Sequence, residues 1–308
     1  MTIRGDRACP VPVPRYNTAM MESPPLPVEQ IQARLTTRVM GQQLHYFTSV
    51  GSTNDEAKRL AAAGAPEGTL VIAGEQTAGR GRLGRRWNAP PNLCLLMSLV
   101  FRPSLPPAQA VRLTMLCSIA IAEAILSETD LHVGIKWPND LVVAGHPSPH
   151  RRSRAPFSQG QGAAHHRKLA GILTETIVAG TELTAVIVGM GINVNVDPAA
   201  LGPVMTPATS LLAELSRPVD RVSLLLATLE QIESRYGQVA GGKIYSDWRQ
   251  RLVTLGHQVT VTVSGERLSG VAEDVNPDGA LWVRDLAGNL HLVSAGDVTL
   301  QPGARTAT

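Results

Sequence analysis

Between residues 79 and 86, glycine and arginine alternate in a way few folds can accommodate. The segment Glu75-Gln76-Thr77-Ala78-Gly79-Arg80-Gly81-Arg82-Leu83-Gly84-Arg85-Arg86-Trp87-Asn88-Ala89-Pro90 follows an apolar run, Leu70-Val71-Ile72-Ala73, that reads as a buried strand. A strand feeding such a loop is a common way to build a binding site. Gly79 to Gly84 fits G-x-G-x-x-G, but a dinucleotide fingerprint must open a helix. Here Arg-Arg-Trp-Asn-Ala-Pro-Pro follows, which is no amphipathic helix. A Walker A loop is excluded, because no Gly-Lys-Ser/Thr is present. A solvated basic loop or an Arg-Gly RNA-binding box competes, yet the net charge of +3 is too small to imply nucleic-acid binding. A small-molecule phosphate site accounts for the whole segment: guanidinium forks for anions, glycines for close approach, Trp87 for a flat ring.

The 308 residues suggest about two domains, and 44% hydrophobic with 17% charged content is ordinary for a globular protein. Of the three cysteines, Cys94 and Cys117 sit in apolar runs and Cys9 stands apart. That usage predicts a reducing, cytoplasmic setting. The apolar runs read as too short for a membrane span, and the first residues lack the apolar stretch of a secretion signal.

Taken in order, residues 1–27 are proline-rich and predict a disordered tail. Residues 28–40 predict a helix, with Ile31, Leu35 and Val39 at helical spacing, and residues 44–47 a strand. A helix opens at Ser52-Thr53-Asn54 and runs to Gly64, Thr53 and Glu56 fitting a capping box. The same helix start can present hydroxyls and N–H groups to a ligand. Strands are predicted over 69–74 and 93–101, then a long apolar helix over 108–127. A strand over 133–137 enters Lys136-Trp137-Pro138-Asn139-Asp140, and Leu141-Val142-Val143 resumes it after a bend at Pro138. Residues 145–167, rich in Pro, Ser, Gly, Arg and His, predict a long mobile loop. Its histidines, irregularly spaced and without cysteine, do not make a zinc site. Strands follow at 168–173 and 183–188, the second ending in Gly189-Met190-Gly191-Ile192-Asn193-Val194-Asn195, where two glycines permit close approach of a ligand or tight packing. Helices are predicted at 210–215, 221–239 and 244–252. From Gly256 onward the texture changes to short alternating strands at 258–263, 267–272, 280–283 and 290–293, a small β-barrel.

No nucleophile elbow, Cys–His pair or metal cluster is present, so the substrates must react directly with one another. Attack of a carboxylate on the α-phosphate of ATP fits: it needs cations near the reacting oxygens, and Mg²⁺ on the leaving pyrophosphate. Lys168 and the arginine loop suit that role, and Lys136, Asn139 and Asp140 form a second polar cluster.

Taken together, Ser52-Thr53-Asn54, Gln76 to Arg85, Trp87, Lys136-Trp137-Pro138-Asn139-Asp140, Arg167 to Leu173 and Gly189 to Asn195 resemble the bacterial biotin–protein ligases, over about residues 30–300. The resemblance implies an α+β fold: a mixed-sheet biotin/lipoate-ligase-like catalytic domain over 28–254, interrupted by a flexible insertion at 145–167, and an SH3-like barrel over 255–303. It implies that Ser52, Thr53, Asn54, Gln76 and Gly171 line the biotin pocket, and that Arg80, Gly81 and Arg82 fold over biotin and its adenylate. Arg82 would face the phosphate, and Lys168 the biotin carboxylate and then the phosphate. Trp87 would lie near the adenine, with Arg85, Asn139, Asp140 and Asn193 around the nucleotide and Asp140 towards Mg²⁺. The implied substrates are biotin and ATP, and the implied partner is the biotin carboxyl carrier protein or domain of a carboxylase. Many members carry an N-terminal winged helix. Only about fifty residues precede Ser52, so neither that domain nor DNA binding is expected. The segment at 145–167 is longer than the family's usual link before the Arg-Lys-Leu-Ala-Gly strand. A lipoate–protein ligase of related fold is the nearest rival.

Overall fold

The computed structural model describes residues 23–144, 166–202, 207–263 and 265–300. Most of the expected tail, residues 145–165 with three of that segment's four histidines, and Cys9 lie outside the described residues; the fourth, His166, is described and buried. The last residues of the expected tail are packed: Leu26 is buried in the main core, and Arg221 donates hydrogen bonds to Ser23 and Pro24.

Helix α1 (Val28–Arg34) is shorter than its periodicity predicts. The chain turns after Leu35 because Glu233 accepts hydrogen bonds from the backbone N–H groups of Arg38, Val39 and Met40. Gly41, at φ +83°, completes that turn. Strand β1 (Leu44–Val50), helix α2 (Thr53–Ala62), strands β2 (Leu70–Gln76) and β3 (Cys94–Phe101) and helix α3 (Val111–Thr129) follow. β4 (Gly134–Lys136) and β5 (Asp140–Val143) are two antiparallel strands that place Lys136 opposite Asp140, rather than one strand resumed after Pro138. Then come β6 (Arg167–Ala179), β7 (Glu182–Asn193), α4 (Leu211–Leu215), α5 (Arg221–Tyr236) and α6 (Gly242–Gln250).

The seven strands form one sheet in the order β1-β2-β3-β7-β6-β5-β4, with only β1 and β2 parallel. The α+β class and mixed sheet agree with expectation. Helix α3, by length and composition, is apolar enough to cross a membrane. It lies instead in the main core, where Leu113, Leu116, Ile119, Ile121 and Ile125 are buried against the sheet and α5. Cys117 on α3 and Cys94 on β3 are buried free thiols, and burial pushes the Cys94 thiol up to about 12.

The other face of the sheet positions the site. Side chains alternate across a strand, and on β7 Ala185 and Ile187 meet α2 through Ala57 and Ala61, together with Val71 and Val100. Two residues further along the same face stand Gly189, then Gly191, then Asn193. The apolar floor therefore ends where α2 begins, and the strand continues in residues without bulk.

The C-terminal sheet contains β8 (Gln258–Val263), β9 (Glu266–Val275), β10 (Leu281–Asp285), β11 (Leu290–Val293) and β12 (Asp297–Leu300), antiparallel in the order β11-β10-β9-β8-β12. The predicted turns are present, with Gly279 and Gly288 at φ +78° and +89°. Strand β12 was not anticipated.

Candidate active site

A cavity of about 360 Å³ opens where α2 stops covering the sheet. All the site residues anticipated from the sequence line it: Ser52, Thr53, Asn54, Gln76, Arg80, Gly81, Arg82, Arg85, Trp87, Asn139, Asp140, Lys168, Gly171 and Asn193.

At one end the side chains are neutral and locked to one another. Gln76, the last residue of β2, accepts at Oε1 from the backbone N–H of Thr53 (2.8 Å) and from its hydroxyl (3.0 Å). Its two amide N–H donors then have no hydrogen bond among the described residues, which suits a ligand carbonyl. Ser98 lies within hydrogen-bond distance of Thr53 Oγ1 (2.8 Å) and donates to Asn54 Oδ1 (2.7 Å). Thr53 and Glu56 do not form the expected capping box. Ser52 is the N-cap, the Thr53 hydroxyl is spent on Gln76, and Glu56 pairs with Arg59. The hydroxyls work across the cavity wall instead of on the helix.

The strand glycines are needed for side chains of the protein itself. A Cβ at Gly189 would stand 2.1 Å from Asn54 Oδ1, and one at Gly191 would stand 2.6 Å from the Trp87 ring. A Cβ at Gly171 on β6 would stand 3.0 Å from the same ring. Trp87 therefore lies flat on two glycine strands, and Lys168 Nζ stands 5.5 Å from its ring centroid.

At the other end the residues are charged. Lys168 Nζ is 2.6 Å from Asp140 Oδ1. Arg82 reaches Asn139 Oδ1 at 3.5 Å, and Asn139 Nδ2 donates to the carbonyl of Ile172. Burial holds the Arg82 guanidinium below its ordinary pKa, against the pull of Asp297 and Asp140. Lys136 is buried behind this group, and its ammonium is lowered by desolvation, opposed by Asp140. The backbone after Gly84 forms no helix: Arg82–Gly84 is a single tight turn with Leu83 at φ 55°, and Arg85 is extended. This disposes of the dinucleotide fingerprint. Arg80 is bidentate to Asp55 (2.5 and 2.6 Å), and Arg85 pairs with Asp297 of β12. Asn193 is buried, donating to the carbonyl of Thr209 (3.0 Å).

Sequence reasoning missed Ser98 and Asp297. Ser98 carried a signal, being the one hydroxyl in the apolar run Leu95-Leu96-Met97-Ser98-Leu99. Asp297 carried none, because it reaches the cavity only through the docking of the C-terminal sheet. Among the described residues no group of three or more His, Cys, Asp or Glu side chains is placed to hold a metal.

Residues 46–193 match the biotin/lipoate A/B protein ligase family, and residues 254–300 match the biotin protein ligase C-terminal domain. The bifunctional ligase/repressor BirA of Bacillus subtilis is 35% identical over 270 residues, covering 86% of this chain and 77% of that protein. A biotin–[acetyl-CoA-carboxylase] ligase of Mycobacterium tuberculosis is 32% identical, covering 89% of this chain and 96% of its own length. A biotin protein ligase from Aquifex aeolicus, solved with biotin and ATP, superposes with a TM-score of 0.63 at 23% identity, over 85% of this chain and 100% of that one. At that identity the structural likeness speaks for the fold. The sequence matches go further, and by them the chain belongs to the biotin protein ligases, a family of ligase enzymes.

Proposed function

We propose that the protein joins biotin to ATP to give biotinyl-5′-AMP and pyrophosphate, and then transfers the biotinyl group to a lysine on the biotin carboxyl carrier domain of a carboxylase. One observation carries the reading: a single cavity has a neutral hydrogen-bonding end built on Thr53, Asn54 and Gln76 and a cationic end built on Lys168 and Arg82. A ureido ring suits the first end, where Gln76 offers donors to its carbonyl. A carboxylate and an α-phosphate suit the second. An oxygen of the biotin carboxylate attacks the α-phosphorus and the bond to pyrophosphate breaks, while Lys168 stabilises the charge on the equatorial oxygens and Arg82 closes over the phosphate of the adenylate that forms. Lys168 reaches these anions by leaving Asp140. In the second step the neutral amine of the carrier lysine attacks the acyl carbon, AMP leaves, and the amine gives up its proton. The enzyme needs no nucleophile of its own. Trp87 supplies a ring face for the adenine, with Arg85 and Asn193 at the nucleotide's edges.

Mg²⁺ would arrive with the nucleotide, since it is commonly held by one or two carboxylates and the substrate's phosphates. Asp140 on the cavity wall is the carboxylate that would hold such a metal. When bound it offsets charge on the leaving pyrophosphate. In this reading residues 28–254 are the catalytic unit and 255–303 an SH3-like unit that lends Asp297. The free thiols at Cys94 and Cys117 are in keeping with a cytoplasmic location. The partner is the carrier rather than DNA or a membrane.

The test is to incubate the protein with biotin, ATP, Mg²⁺ and a carrier domain, and to weigh the carrier. The expected result is one added biotinyl group, absent when the acceptor lysine is replaced by arginine. No added mass on a folded carrier would refute the transfer step.

A further inference from the structure

Glu175 of β6 does not line the cavity, yet it holds two residues that do. On β6 the residues Gly171, Leu173 and Glu175 alternate onto the cavity face, and the first two are part of the wall. Glu175 stands just beyond them, half-buried. One of its oxygens, Oε2, accepts from Asn54 Nδ2 at 2.7 Å and from Arg80 NH2 at 3.2 Å. The other, Oε1, accepts from Lys58 of α2 and lies 3.4 Å from the same Arg80 nitrogen. Its carboxyl is held below the ordinary range, because hydrogen bonds from Lys58 and Asn54 and the charges of Lys58 and Arg80 outweigh desolvation.

The two partners on Oε2 belong to different parts of the site. Asn54 is on the rigid wall: it is buried, its Oδ1 is taken by Ser98, and it fills the space that a Cβ at residue 189 would need. Arg80 is on the arginine loop, whose other anchors are Asp55 at this end and Asp297, through Arg85, at the far end. Asp55 is exposed, so its pair with Arg80 constrains little by itself. Glu175 is the less exposed carboxylate, and it is already fixed by Lys58 and Asn54 before Arg80 arrives.

We propose that Glu175 is a positioning residue for the ligase reaction. Through one carboxylate it sets the arginine loop in register with Asn54, so that closure of the loop is coupled to the neutral end of the cavity. The inference rests on the proposed function for its catalytic readout, and on geometry alone for its structural one.

Glu175→Gln keeps the size of the side chain and removes the charge. The expected result is a melting temperature within about 2 °C of wild type. The four arginines of the loop make it a trypsin target, and cleavage between residues 80 and 86 should accelerate about fivefold, as for the loss of one half-exposed ionic contact. KM for biotin should rise by a similar factor of about five, with kcat little changed. Lys58→Gln takes one partner from Glu175 but leaves its charge and its bonds to Asn54 and Arg80, and should accelerate cleavage clearly less than Glu175→Gln does. Should Glu175→Gln not fold, Glu175→Asp keeps the charge but is too short to span from Lys58 to Arg80, and should loosen the loop in the same assay. Unchanged cleavage in a folded Glu175 variant, or equal acceleration in Lys58→Gln, would overturn the proposal. A wild-type protein that makes no biotinyl-adenylate refutes the ligase reading instead, while the trypsin comparison still decides the role of Glu175.

Discussion

The two ends of the cavity are built on opposite terms. At the Gln76 end, hydroxyls and amides satisfy one another, and Gly189 leaves the Asn54 side chain the space it fills. At the Lys168 end, cations are held by carboxylates of the protein: Lys168 by Asp140, Arg85 by Asp297. The first end is preorganised for a neutral polar ligand. The second is a set of ion pairs that substrate anions can exchange into, since a phosphate competes for a guanidinium or ammonium on equal terms with a carboxylate. Binding energy at the first end thus costs little rearrangement, whereas the second end changes partners as the reaction proceeds.

If that contrast holds, substitutions at the charged end should strike the chemistry, and those at the neutral end should strike binding. The largest effect is expected from Lys168→Ala. Adenylate formation, followed as biotin-dependent pyrophosphate release, should fall about a hundredfold or more, as for loss of one electrostatic stabiliser. Near-normal release by the folded variant would remove Lys168 from the reaction. Arg82→Gly comes next. It leaves Lys168 in place but takes from the loop a partly buried guanidinium whose pKa burial lowers. Adenylate should still form but escape about tenfold faster, appearing in an ultrafiltrate and on bystander amines. Retention equal to wild type would show that the loop closes without this arginine.

Ser98→Ala tests the neutral end. It leaves Asn54 Oδ1 without its donor in a buried site, a loss of about 1–3 kcal/mol. KM for biotin should rise about tenfold at nearly constant kcat, the pattern of lost uniform binding. A fall in kcat with unchanged KM would erase the distinction between the ends. The smallest effect is expected from Asp297→Asn. It frees Arg85, but both partners are partly exposed, so the change in KM for ATP should stay within about threefold. A hundredfold loss would mean that the C-terminal sheet takes part in the chemistry.

How far the sequence revealed this arrangement follows from what each residue depends on. Elements with strong periodicity or turn chemistry were legible: α3, the β6–β7 pair, and β8 with its neighbouring hairpins. The loop arginines declared themselves because a loop of that composition has few other uses, Lys168 was legible as a cation suited to the same chemistry, and Gly171 was implied only by the family resemblance. Failures came where long-range contacts overrode local pattern. Glu233, almost two hundred residues away, ends α1 early by taking three backbone N–H groups. Thr53 looked like a cap and is instead a cross-cavity donor to Gln76. The glycines of β7 permitted either a ligand or tight packing, and the structure takes the second course, filling them with Asn54 and Trp87. Asp297 and Glu175 carry no local signature, since each matters only through a loop that tertiary packing brings to it.

The central claim is that one cavity binds biotin at its neutral end and reacts it at its charged end. The most direct measurement supplies the wild-type protein with ATP labelled at the α-phosphate and with biotin, lipoate or octanoate in separate reactions, and resolves the nucleotide products. The account predicts labelled biotinyl-5′-AMP with biotin, and little or no acyl-adenylate with the other two. Lipoyl- or octanoyl-adenylate formed in preference, or no adenylate from any of the three acids, would contradict it.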